Sequence, residues 1–198
     1  MTGSLVAEYP HLATISMHPS PETTVRGMID VLVGLDQIDS ILDVGSGHGG
    51  VFDHGFWTQA HLSHRGTCDI HAVREMSEVW DTRDGVDVQQ LTDFYRPDSF
   101  DLVQCMEVLE HVPDSRTALE QLCAVARRLV IITSDDELVH GYNAHGDFDD
   151  TSVQAQMERI NPYQRYVAQP RVSDLHELGF AVFVERMGRR RLVAFKTL

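Results

Sequence analysis

Apolar positions along this chain recur in two alternating rhythms. Val25, Met28, Ile29, Leu32 and Val33 repeat every three to four residues. That spacing predicts a helix from Pro21 and Glu22 to about Leu35, with Ser20 as its N-cap. The short run at residues 41–44 ends in glycines and predicts a first strand. A helix from Gly50 to about Leu62, a strand at 66–70 and a helix at 71–80 follow. A third strand is expected at 86–91, its alternation partly broken by Gln89 and Gln90, and a fourth at 100–105. Asp114 or Ser115 caps a helix that reaches about Arg127, with Ala118, Leu119, Leu122 and Val125 as its apolar face. Residues 129–133 predict a fifth strand, buried on both faces. From Ser134 to Pro170 the pattern dissolves into Asp, Asn, Gly and His, with a short helical pattern around 152–160. A helix at 172–178 and a hairpin pairing 180–185 with 191–196 close the chain. Alternating strands and helices predict an α/β fold.

Length makes this one domain, residues 1–198, with one sizeable core. Residues 1–20 form an N-terminal segment, and residues 134–170 a variable insertion of the kind that serves as a lid or binding loop. No apolar run is long enough to span a bilayer, and the first ten residues lack a basic segment leading into an apolar one. A cytoplasmic protein without a membrane partner is expected. Cys68, Cys105 and Cys123 have no CxxC spacing, so buried thiols in a reducing compartment are expected rather than disulfides or a zinc cluster. The net charge is −14, from 30 acids against 16 bases, and Lys196 is the one lysine. Such an acidic field repels polyanions and disfavours nucleic acid as a partner. Arg189, Arg190 and Arg191 are clustered, but they sit beside Gly188 between two apolar runs, as a hairpin turn would.

Chemistry enters at residues 43–50, Asp-Val-Gly-Ser-Gly-His-Gly-Gly, between a predicted strand and a predicted helix. Glycines permit a sharp turn and let a ligand approach the backbone. Gly45, Gly47 and Gly50 also satisfy GxGxxG, the dinucleotide fingerprint, so the loop alone does not choose a cofactor. Asp69, ending the second predicted strand, is placed to accept hydrogen bonds from ribose hydroxyls, and it is equally placed to cap the next helix.

The rest of the chain discriminates. The string Ile41-Leu42-Asp43-Val44-Gly45-Ser46-Gly47 resembles motif I of the class I S-adenosylmethionine-dependent methyltransferases, with an acid two residues before the first glycine. Ser99-Phe100-Asp101-Leu102-Val103, followed by the Glu107-Val108-Leu109-Glu110-His111 loop, resembles the same superfamily, as does the corner Leu175-His176-Glu177-Leu178-Gly179-Phe180. The resemblance implies a Rossmann-like, seven-stranded, mostly parallel sheet in the order 3-2-1-4-5-7-6, with the last strand antiparallel and helices on both faces. It implies S-adenosylmethionine as cofactor. Gly45, Ser46 and Gly47 would line its methionine part, and Asp43 would contact its amino group directly or through water. Asp69 would bind the ribose, Ile70 would lie against the adenine, and Thr92 or Asp93 would hold the adenine edge. Met106 would lie beside the cofactor.

A sulfonium methyl group transfers by direct displacement, so the protein mainly aligns the reactants and excludes water. A base is needed only when the acceptor must lose a proton. His111 is the candidate base, and a framework role in its loop is the competing reading. His140, His145, Tyr163 and Tyr166 lie in the insertion and could reach a pocket from there. Glu107, Glu110 and His111, with His145, would resemble the magnesium site of small-RNA 2′-O-methyltransferases. Magnesium prefers oxygen ligands, and no metal is expected. The implied activity is methyl transfer to oxygen or nitrogen of a small-molecule acceptor. The alternatives are a cofactor-binding module without transfer and a metal-assisted RNA 2′-O-methyltransferase. Acceptor recognition would come from residues 1–20, from residues 134–170, or from a second subunit, in a monomer or homodimer.

Overall fold

The computed structural model describes residues 38–47, 62–71, 81–135, 170–185 and 191–198. The expected helices beginning at Pro21, Gly50 and His71 and the helical pattern near 152–160 lie wholly or almost wholly outside these residues. So do nearly all of the 134–170 insertion and Arg189–Arg190 of the arginine cluster.

Five strands run parallel: β1 (Ser40–Val44), β2 (His64–Asp69), β3 (Asp81–Asp84), β4 (Phe100–Met106) and β5 (Ala126–Asp135). They are joined by β6 (Ala181–Glu185) and β7 (Arg191–Thr197). The seven strands stand in the order β3-β2-β1-β4-β5-β7-β6, and β7 is antiparallel to both of its neighbours. Both features match the expected order. From β1 the chain builds outward through β2 and β3, then crosses to β4 on the other side. The crevice beyond the carboxyl ends of β1 and β4 is therefore a topological switch point, where ligands of open α/β sheets bind.

Strand residues alternate between two faces of this sheet. Leu42, Val44, Cys68, Val103, Cys105, Val130 and Ile132 belong to one face and share a core with Ala118, Leu119, Leu122 and Val125 of α2 (Ser115–Val125). Asp114 caps α2, accepting from the Thr117 backbone N–H at 3.0 Å and from its hydroxyl at 2.7 Å. The expected end near Arg127 is corrected to Val125, because Ala126 turns extended and pairs with Phe100 of β4. At the amino ends of the strands, Asp101 joins β1 to β4. Its Oδ2 accepts from the backbone N–H groups of Asp39 and Ser40 and from the Ser40 hydroxyl, and its Oδ1 accepts from Arg127.

The third strand is a second correction. It is Asp81–Asp84, four polar residues, and not residues 86–91. An edge strand pairs on one side only, so it needs no apolar run, and its side chains remain half-buried or exposed. Val86, Val88 and Leu91 do enter the core, but from a turn, a 3-10 turn (Val88–Gln90) and the short α1 (Leu91–Phe94). The last helix, α3 (Val172–Glu177), precedes β6 as expected.

Candidate active site

The glycine loop leaves β1 and hangs on the end of β2. The backbone N–H groups of Gly45 and Ser46 donate to the Cys68 carbonyl at 2.8 and 3.2 Å. Gly45 and Gly47 have φ of +76° and +56°, a region costly for residues with a Cβ. A Cβ on Gly45 would also overlap Val108 Cγ2, whereas beside Gly47 there is open space. Val108 thus closes one side of the loop, and the Gly47 backbone remains approachable.

Asp69 ties this loop down. Its Oδ2 accepts from the Gly47 N–H and its Oδ1 from the His71 N–H, both at 2.8 Å. The first bond makes Asp69 the clasp of the glycine turn, and the helix it was expected to cap lies outside the described residues. Ile70, half-buried, follows at the mouth of the crevice. The Val86 N–H donates to the Asp69 carbonyl at 3.0 Å and brings the segment after β3 alongside.

Asp43 lies within β1, 3% exposed, and is paired in register with Thr67 and Gln104 on the neighbouring strands. Gln104 Nε2 donates to Asp43 Oδ1 at 2.7 Å. Asp43 Oδ2, Ser46 Oγ, Thr67 Oγ1 and Gln104 Oε1 are buried without a partner among the described residues. Burial pushes the Asp43 carboxyl up to about 7; the Gln104 hydrogen bond opposes that shift and the Asp69 charge adds to it. Burial likewise raises the Cys68 thiol to about 12 and the Cys105 thiol well above its ordinary value, so both are inert.

Met106, half-buried, ends β4 beside this crevice. Glu107 follows with φ of +55°, and its N–H donates to the Thr133 carbonyl at 3.0 Å. The chain then enters a 3-10 turn (Leu109–His111), where the His111 N–H donates to the Val108 carbonyl at 2.9 Å. Glu110, 1% exposed, accepts from the Ser134 hydroxyl at 3.0 Å and joins this loop to the start of the insertion. Among the described residues, no three His, Cys, Asp or Glu side chains are grouped to hold a metal, and His145 lies outside them. So do His140, Tyr163 and Tyr166.

The two adenine-edge candidates stand apart from the strand ends. The Thr92 N–H and hydroxyl both donate to Gln121 of α2 at 2.9 Å, and Asp93 is exposed on α1. With the third strand ending at Asp84, the acid that follows it most directly across the turn at Gly85 is Asp87. Asp87 caps the 3-10 turn, accepting from the Gln89 N–H at 2.9 Å. Sequence reasoning missed Asp87 because it placed the strand over it. It missed Gln104 because no motif marks it; a carboxamide inside an apolar strand was the available signal.

The chain matches the family model described as a methyltransferase domain over residues 21–182. No curated protein matches it. Among solved structures it is similar to the trans-methyltransferase CalH in complex with S-adenosylhomocysteine (SAH), with a TM-score of 0.59 and 16% identity. That alignment covers 88% of this chain and 55% of CalH. It is also similar to the CurJ carbon methyltransferase, with a TM-score of 0.55 and 13% identity over 96% of this chain and 64% of that one. A third is magnesium protoporphyrin IX methyltransferase (ChlM) from Synechocystis PCC 6803 with bound SAH, with a TM-score of 0.54 and 16% identity over 98% and 88%. The chain thus spans little more than half to two thirds of the first two structures. The family match covers most of the chain, and the strand order is the one these structures share: the chain belongs to the methyltransferase-domain family, with the fold of class I S-adenosylmethionine-dependent methyltransferases.

Proposed function

We propose that this chain binds S-adenosylmethionine at the carboxyl ends of β1, β2 and β4 and transfers its methyl group to oxygen or nitrogen of a small-molecule acceptor. The observation that carries the reading is the buried, half-satisfied carboxyl of Asp43 beside an open glycine backbone. A buried carboxyl with one oxygen unpartnered is costly unless a donor arrives. The amino group of the cofactor is such a donor, and Ser46 Oγ is a further buried polar atom without a partner in the same loop. Gly47 lets the methionine part approach the backbone, and Asp69, already oriented by two backbone N–H groups, has lone pairs left for ribose hydroxyls. Ile70 and Met106 provide apolar contacts for adenine and the sulfonium region. Asp87 or Asp93 holds the adenine edge, and Thr92 is left to join α1 to α2.

When bound, the cofactor supplies an activated methyl group. The chain holds the donor, shields it from water and orients the acceptor. His111, half-buried after β4, is the base for an acceptor that must lose a proton. The acidic field, −14 overall, favours neutral or cationic acceptors over polyanions. No helix among the described residues is long and apolar enough to cross a membrane.

Two measurements test the reading. Calorimetry with SAH should give saturable binding at micromolar concentrations, and its absence at high micromolar SAH would sink the cofactor assignment. Methyl transfer from labelled S-adenosylmethionine should then be followed across hydroxyl, amine and carbon-acid acceptors. Turnover confined to carbon acids would overturn the acceptor-atom assignment. Binding with no turnover on any acceptor would point to a binding module.

A further inference from the structure

Three in-register residues break the apolar pattern of the central strands. Thr67 on β2, Asp43 on β1 and Gln104 on β4 stand side by side on the face opposite α2. All three are buried, and Thr67 and Gln104 are fully so. Only one hydrogen bond is made among them, from Gln104 Nε2 to Asp43 Oδ1, and one polar atom on each stays without a partner among the described residues. Burying a carboxamide in a strand costs more than burying a valine there unless its polar atoms serve a purpose.

We propose that Gln104 is a positioning residue for cofactor capture: its carboxamide N–H holds one oxygen of Asp43 across β1 and β4 and reserves the other for the cofactor's amino group. The inference rests on the cofactor reading above. A carboxylate that rotates freely offers both oxygens in many directions. One pinned by a rigid neighbour in the sheet offers a single acceptor in a fixed place, and less ordering is left to the binding step. Gln104 also donates to the ionised form and so helps to keep Asp43 charged in a dry site, against burial and against Asp69. Among the described residues, Asp69 on β2 is the titratable group beside Asp43 on its own face of the sheet, and Cys68 on β2 and Cys105 on β4 couple to it electrostatically from the opposite face. Both thiols stay neutral near pH 7, which leaves Asp69 as the facing charge.

The test compares two ligands that differ in the amino-acid part: SAH, and 5′-methylthioadenosine, which lacks the amino group. In Gln104→Met, which keeps the volume and removes the donor, SAH affinity at pH 7 should fall about tenfold, the worth of a hydrogen bond to a charged group. Binding of 5′-methylthioadenosine should be unchanged, and the pH midpoint of SAH affinity should move up. Gln104→Asn, which draws the carboxamide back from Asp43, should show the same selective loss and serves if Gln104→Met does not fold. Equal weakening of both ligands, or no change in either, overturns the proposal. Failure of the wild-type protein to bind SAH at all is the separate failure of the cofactor reading.

Discussion

Asp43 is the residue on which acidity, burial and ligand chemistry meet. Its carboxyl is raised from 3.8 to about 7 by burial, so the folded apo protein holds a proton there that the unfolded chain releases near pH 4. Stability from this group is therefore lost as pH climbs from about 4 to 7, and the loss is complete above 7. Asp43→Asn should make the apo protein more stable than wild type at pH 8, by a margin that shrinks steadily as pH falls toward 4, as a series of thermal melts across that range will read. Ligand binding runs the opposite way. The amino group of SAH needs the carboxylate, so wild-type affinity should rise between pH 6 and 8, with protons released on binding, and Asp43→Asn should flatten that rise. Calorimetry in buffers of different ionisation enthalpy checks both. The loop glycines differ in a measurable way. Gly45→Ala meets a positive φ and the Val108 side chain, at a cost of about 2–5 kcal/mol from strain plus overpacking. Gly47→Ala meets only the φ, at about 1–2 kcal/mol. Denaturant titrations that found the two equal would remove Val108 as the wall of the loop. His111→Gln, if His111 is the base, lowers kcat by about 10²–10⁴ and leaves SAH affinity intact.

Elements were legible where burial imposed a run of apolar residues. The strands β1, β4, β5 and β7 stand where their patterns place them, because each has a neighbour on both sides, and β6, an edge strand, stands where its apolar run places it. β3 was not legible, because Asp81, Thr82, Arg83 and Asp84 are held by β2 through backbone pairing, which leaves no side-chain signature. Val86 and Val88 imitate strand alternation while serving as core plugs on a turn. The same contrast runs through the site. Asp43, the glycines and Asp69 could be read from their spacing, whereas Gln104 and Asp87 matter through neighbours distant in the chain or through where a strand ends. Asp101 was legible as a motif residue with no assigned task, and the fold supplies one at the amino edge, far from the glycine loop. Asp101→Ala leaves buried donors of β1 and Ser40 unmet and should destabilise by about 3 kcal/mol. Ligand affinity should be kept wherever the variant is folded. Removal of the α2 cap by Asp114→Ala should destabilise less than Asp101→Ala does, and a denaturant series on the two variants separates the effects.

At the scale of the molecule, the proposed cofactor site lies where three strand ends and two returning loops converge, so binding there would be linked to folding. SAH at a hundred times its Kd should stabilise the protein by about 2.7 kcal/mol, which raises Tm by roughly 5–10 °C in a chain of this size. The same measurement with Asp43→Asn should give a smaller rise. Another property follows from where β7 sits. It is inserted between β5 and β6, although β6 precedes it in the chain, and β6 pairs with β7 alone. A ribosome therefore delivers β6 before β6 has any strand to join. Until Arg191–Thr197 has emerged, β5 has no partner along its outer edge, and that edge runs through Leu129, Val130, Ile131 and Ile132. An arrested nascent chain ending before β7 presents an open apolar strand, the form of edge that chaperones bind and that aggregates recruit. Completion of the sheet thus waits on β7, and the antiparallel strand is the latch that closes the open edge of β5.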